Sequence, residues 1–282
     1  GPIIPEKLHF FVAMEGTKTT LPATNINLDP ERVPADIASQ FNGSAAQDFE
    51  QKLYFGKLTA FVTEDDTIDL SAFIRKEQNL RDFGGIAVPS HGHDISSNGK
   101  LFQLEWKHRG DNWLNEATIA YNTFENGTPR VSTGPEIILT CVTPTEDGVP
   151  TGPPCSGNQF DINARAAELG NNSFEQNDRQ KTWTIKDYLT YETGDHIIKG
   201  GIKIAFNKYE RLEDSLSNGG YFFQSLLYTG FDSSIPYSAR VSTVDVQAAS
   251  AKNTQIGVFI QDDWTPDEHW TINAGIRWDY ET

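Results

Sequence analysis

No stretch of this chain approaches the roughly 20 consecutive apolar residues that a spanning helix needs, which excludes a helical membrane protein. Positive charge is scarce: 23 Lys and Arg stand against 39 Asp and Glu, leaving a formal charge of -16. So acidic a chain offers no broad positive footprint, and nucleic acid is not expected as a partner. No nucleophile motif, phosphate-binding glycine loop or helix-borne zinc motif is present, so no enzyme, no cofactor and no metal site is expected. No repeat with a fixed motif occurs, which argues against a propeller or solenoid. Low mean hydropathy excludes less than it suggests. A membrane β-strand needs only about 9–11 residues, and only alternate ones must be apolar.

What the chain has is alternation. Trp270, Ile272, Ala274, Ile276, Trp278 and Tyr280 fall on one face of a run whose other face is His269, Thr271, Asn273, Gly275, Arg277 and Asp279. The same pattern recurs at Tyr54, Leu58 and Ala60, at Ile68, Leu70, Ala72 and Ile74, and at Phe102, Leu104 and Trp106. It returns at Ala117, Ile119 and Tyr121, at Trp183, Ile185, Leu189 and Tyr191 with Asp187 an exception, at Ile198, Ile202, Ile204 and Phe206, and at Ile256, Val258 and Ile260. These runs outlast the five or six residues of an ordinary strand.

The connections alternate too. Four are short and turn-like, at 64–67, 110–113, 193–196 and 265–269; four are longer and rich in Pro, Gly, Asn and Ser, at 17–49, 81–98, 126–179 and 212–219. Long hairpins with short turns at one end and long loops at the other are the outer-membrane barrel plan. The expectation is an all-β, antiparallel up-and-down meander of about eleven long strands within a transmembrane barrel. They fall near 6–15, 51–63, 67–79, 98–109, 113–125, 180–192, 196–210, 220–229, 236–246, 254–264 and 269–281, the eighth and ninth alternating least well. Gly1 and Thr282 read as ends cut from something longer, with residues 1–282 as one partial barrel domain.

Trp106, Trp113, Trp183, Trp264, Trp270 and Trp278 lie near strand ends and are candidates for an interfacial aromatic girdle. The alternative is core packing in a soluble sandwich. Cys141 and Cys155 flank a Gly/Pro/Thr-rich segment, so they either form a disulfide in an oxidising compartment or are unrelated thiols. The segment 126–179 carries seven acidic residues against three basic ones and is a candidate for ligand contact, or else a passive surface loop. His91, His93 and Asp94 have metal-ligand types, but a solvated loop is the better reading, as solvated turns are for the acidic clusters at 64–66 and 261–263. Arg109-Gly110-Asp111 reads as a tight turn on the periplasmic side.

Two stretches carry a family resemblance. In residues 256–281, Phe259, Gln261, Asp262, Asp263 and Trp264 end one strand, and Thr271, Asn273, Gly275, Ile276, Arg277 and Trp278 follow in the next. This resembles a barrel hairpin of TonB-dependent receptors. The opening GPIIPEKLHFFVAMEGTK resembles the start of the barrel in the Oar-like branch of that family. The resemblance implies a 22-stranded barrel in the bacterial outer membrane, filled by a plug. It also implies uptake of a scarce or bulky extracellular ligand with energy supplied through TonB. The residues here match no plug and no TonB box, and only about half the strands, so this would be the N-terminal half of such a barrel. TonB would be met only through the plug; the direct partner would be outer-membrane lipid. A passive barrel (porin or adhesin) and a soluble all-β binding module are the alternatives.

Overall fold

A run that alternates over ten or more residues has one apolar and one polar face, and its register is fixed by neighbours that alternate in step. The computed structural model describes residues 1–140, 145–146, 149–150, 164–224, 234–244 and 246–282. The chain runs through β1 (Pro2–Ile4), β2 (Leu8–Ile26), α1 (Ala35–Phe41), β3 (Gly43–Phe61), β4 (Asp66–Arg81), β5 (His93–Arg109) and β6 (Trp113–Gly127). A long connection then carries β7 (Glu136–Thr140), β8 (Thr145–Glu146), β9 (Val149–Pro150) and β10 (Arg165–Gly170). Next come β11 (Phe174–Thr193), β12 (His196–Ser215), β13 (Gly220–Gln224), β14 (Ser238–Arg240), β15 (Gln247–Asp267) and β16 (Trp270–Glu281).

The all-β antiparallel meander is present as one ten-stranded sheet, ordered β1-β2-β3-β4-β5-β6-β11-β12-β15-β16. The sheet is open, with β1 and β16 at its edges. All four expected tight turns lie at one end of it, and the long connections lie at the other. Strands β2, β3, β11, β12 and β15 run further toward the loop end than alternation indicated. There the backbone ladder persists while the side chains turn polar on both faces, joined by bonds such as Thr20 to Asp48 (3.1 Å) and Ser44 to Asn25 (2.8 Å). Alternation reports lipid on one side, and past the hydrocarbon that constraint ends.

The long connections fold together. Their second sheet is ordered β10-β7-β13-β14, with β7 and β13 parallel. It takes in residues 220–224 and 238–240 of the runs expected at 220–229 and 236–246, which are therefore not strands of the main wall. GYFFQ fits this place because an apolar run suits a strand covered on both faces; Phe222 is buried there. Leu28, Val33, Val88, Leu139 and Ala167, drawn from three connections, form the hydrophobic cluster of this layer together with Ile26 at the end of β2. Asn42 clamps Leu28 by accepting its N–H (2.6 Å) and donating to its carbonyl (2.8 Å). Gly170 turns with φ +71°, and a Cβ there would sit 2.5 Å from the Pro135 carbonyl oxygen, so only glycine fits.

Candidate functional site

The main sheet builds a wall with two unlike faces. Directly paired residues continue one apolar row across it: Phe10, Leu58, Leu70, Leu104, Ile119, Ile185, Ile204, Ile256 and Tyr280. A second row holds Met14, Tyr54 and Ile74, and a third holds Phe102, Tyr121, Trp183 and Phe206. Many of these side chains are open on the outer face, Leu70 at 49% and Ile185 at 42%. Large apolar side chains left uncovered over a whole sheet face mark a surface made for a non-aqueous partner.

At the turn end the apolar face is edged by aromatic–imidazole–carboxylate groups. Trp106 donates from Nε1 to Asp66 (2.9 Å), His108 Nδ1 lies 2.8 Å from the same carboxylate, and Trp113 packs on His108 with ring centroids 4.7 Å apart. Two hairpins along, His196 stacks on Trp264 at 5.5 Å and 4° and reaches Asp262 at 2.7 Å through Nδ1. Each unit has an apolar ring and a polar tip, the composition suited to a headgroup boundary.

The opposite face carries the charged and polar pairs, with phenylalanines such as Phe11, Phe55 and Phe73 set among them. Lys57 pairs with Asp69 (3.1 Å), and Lys107 bridges Glu105 (3.0 Å) and Glu116 (3.4 Å). A ladder runs from Thr182 to Asn207 (2.8 Å), on to Asn253 (2.7 Å) and then to Glu281. Tyr188 lies over Gly201, filling space that a Cβ would occupy 2.2 Å from the ring. An apolar outer face and a hydrated inner one are what a membrane barrel requires of each strand.

Residues 21–282 match the family model for the outer membrane beta barrel domain. The chain belongs to the outer membrane β-barrel family. Its place is the bacterial outer membrane. Among curated proteins it is 27% identical over 116 residues to the TonB-dependent transporter Oar of Myxococcus xanthus, a match covering 37% of this chain and 11% of that protein. Among solved structures it resembles the outer membrane transporter YddB of Escherichia coli, with TM-score 0.63 at 11% identity over 99% of this chain and 32% of that one. It also resembles the ferric-catecholate import receptor Fiu of Escherichia coli K12, with TM-score 0.56 at 12% identity over 99% of this chain and 38% of that one. At these identities the likeness is one of fold. The chain spans about a tenth of the length of Oar and about a third of each solved transporter.

In this barrel wall the six tryptophans divide by height. Trp106, Trp113, Trp264 and Trp270 lie toward the turns, whereas Trp183, against Tyr121 at 4.6 Å, and Trp278, against Tyr280 at 6.0 Å, lie toward the loops. The family-motif residues Gln261, Asp262, Asp263 and Trp264 lie near the turn end of β15 beside His196–Lys199, and Gly275 and Arg277 pair with Gln261 and Phe259. Arg277 holds Asp279 through Nε at 2.7 Å. Arg109-Gly110-Asp111 falls at the β5–β6 turn.

Two readings need correction. His91 and His93 are not solvated but buried, at 4% and 6% exposure. His93 links Asp82 (2.9 Å) to the Phe174 carbonyl (2.7 Å), while His91 sits 3.8 Å from Glu136 and 3.7 Å from Glu168. Burial pushes His91 below its ordinary pKa, the attraction of the two carboxylates notwithstanding. Among the described residues, no group of three metal-ligand side chains is positioned to hold an ion. Nor are the acidic clusters at 64–66 and 261–263 merely solvated, because Asp66 and Asp262 anchor the histidines of the aromatic edge. Those histidines carry no linear signal: His108 joins Asp66 only when β4 and β5 pair. Cys141 and Cys155 lie outside the described residues.

Proposed function

We propose that residues 1–282 form the N-terminal half of a TonB-dependent transporter barrel, whose complete form takes up a scarce or bulky ligand across the outer membrane. The observation that carries this reading is the 116-residue relationship to Oar, a TonB-dependent transporter. The wall of apolar outer rows and an ion-paired, hydrogen-bonded inner face supports it, because such an inner face suits a hydrated plug or cargo. The relatives are transporters and receptors, and the reading gives this chain no catalytic step. In it, TonB acts through a plug and the strands supply the channel wall. The acidic segment 126–179 contributes ligand contact, and Cys141 and Cys155 close part of it as a disulfide. Peptide mapping without reduction tests that bond; two free thiols would remove it.

The coupling is tested by calorimetry between the full-length protein in detergent and the periplasmic domain of TonB. Saturable binding is the expected outcome, and its absence sinks the coupled reading. A passive barrel would instead conduct ions in a planar bilayer without TonB, so a steady open-channel current would favour that alternative.

A further inference from the structure

Along the inner face, the cations of the first strands differ from those of the last in what they face. On β3, β4 and β5 they are paired within the chain: Lys57 with Asp69 (3.1 Å), Arg75 with Glu77, and Lys107 with Glu105 and Glu116. On β11 and β12 they are not. Lys186 and Lys203 stand directly opposite each other, and Lys199 lies on the same face of β12 beyond Gly201. None of the three forms an ion pair or a side-chain hydrogen bond among the described residues. Like charges set directly opposite each other destabilise a sheet. The carboxylates around them are engaged or lie to one side. Glu116, which pairs with Tyr188, is held by Lys107 (3.4 Å). Asp279, across Gly257 from Lys203, is held by Arg277 (2.7 Å). Asp263 and Glu192 lie toward the turns.

Space accompanies the charge. Two clefts open on this face, one on either side of Arg277, which lines both. The first, of about 390 Å³, has Lys203 and Asp279 at its walls and Gly257 at its floor. A Cβ at Gly257 would stand 2.8 Å from Asp279 Oδ1 and 3.0 Å from Arg277 Nη2, so glycine leaves the guanidinium its place. The second, of about 480 Å³, has Lys199, Tyr188 and Phe259 at its walls and Gly275 at its floor. Tyr188 and Phe259 meet edge to face at 5.6 Å and 67°, which gives this cleft an aromatic side. Clefts of this size hold small organic molecules. Lys186, Lys203 and Arg277 each lie seven residues from the turn end of their strand. With a rise of about 3.3 Å and a tilt near 40–45°, that is about 15–20 Å above the turns, at membrane depth and below the loop layer.

We propose that Lys186, Lys199, Lys203 and Arg277, with Tyr188 and Phe259, form a binding site on the inner wall for a small ring-bearing oxyanion, phosphorylated or carboxylated. The three ammonium groups supply point charges, and the guanidinium, aimed by Asp279, supplies a planar pair of donors. The aromatic side takes the ring by its face or edge. The site gives Gly275 and Arg277 of the family motif a chemical role. It depends on the two-faced wall, not on TonB coupling or on what segment 126–179 contacts.

The test is calorimetric titration of the full-length protein in detergent. The probes are phenyl phosphate and benzoate, with benzamide as the neutral ring and inorganic phosphate as the ringless anion. One of the two ring anions should bind saturably and at least about tenfold more tightly than benzamide, the worth of one charge-assisted hydrogen bond. Whichever of the two binds more tightly names the oxyanion. A variant carrying K186Q, K199Q and K203Q should lose that preference, whereas K57Q, at a lysine already paired, should keep it. Failure of the unaltered protein to prefer either anion over benzamide overturns the proposal, whether or not the variant folds; the lysines are then neutralised from within the whole protein. An unchanged preference in a triple variant that keeps the heat-sensitive gel mobility of a folded barrel also overturns it. So does inorganic phosphate binding as tightly as phenyl phosphate, because the aromatic side would then take no part.

Discussion

Replacing Ile185 with arginine tests the two-faced wall most directly. Ile185 lies on the outer face between Ile119 and Ile204. Tyr191 bounds its strand toward the turn and Lys181 toward the loops. Ten residues at about 3.3 Å, tilted about 40°, span about 25 Å, so Ile185 sits close to the bilayer midplane. An arginine there should cost about 2–4 kcal/mol, with the lost contacts to two isoleucines adding up to about 1 kcal/mol. The neighbouring Thr184 points to the hydrophilic face between Ala120 and Ala205, and the same substitution there should cost within about 1 kcal/mol. The assay is urea unfolding of the full-length protein in phosphatidylcholine vesicles, read by tryptophan fluorescence. Equal destabilisation by Ile185→Arg and Thr184→Arg, or a neutral Ile185→Arg, would refute the assignment of faces.

Asp187 is a carboxylate on the apolar face, held by Asn115 (2.7 Å); Asp187→Leu should stabilise the barrel by about 1 kcal/mol in the same urea assay, and a loss of stability would give the pair a structural role. Leu28 is fully buried in the loop layer, so Leu28→Ala should cost that layer about 2–5 kcal/mol and raise protease cutting of the loops while leaving the main sheet's hydrogen exchange unchanged. His91 has a folded pKa below its ordinary 6.5 because it is buried, with Glu168, Glu136 and Arg165 around it. The folded layer therefore binds fewer protons than the opened one, so its stability is full above about pH 6.5 and falls as pH drops through that value, by at most about 1.4 kcal/mol per unit. Loop amides of the native protein should exchange faster at about pH 5.5 than at about pH 7.5 after correction for intrinsic rates; identical protection would show that the site does not titrate. Deleting residues 142–154 from the full-length protein should lower uptake of its cargo, and unchanged uptake would remove that segment from capture.

The period of two by itself determined the wall. Each long run of alternating residues became a strand of the main sheet, and the short polar interruptions became its turns, because lipid on one face and water on the other impose that pattern locally. The hairpin from Phe259 to Trp278 pointed to the family for the same reason: its signature lies within consecutive residues. Tertiary structure alone decided what depends on strand pairing or on packing between distant loops. Beyond the bilayer both strand faces meet water, so nothing in the pattern showed that β2 continues to Ile26 or that GYFFQ leaves the wall for a second sheet. The buried histidines and the Asp66–His108–Trp106 edge are likewise assemblies of residues scattered along the chain. Only the register of the sheet, and the folding of the long connections onto one another, brings them together.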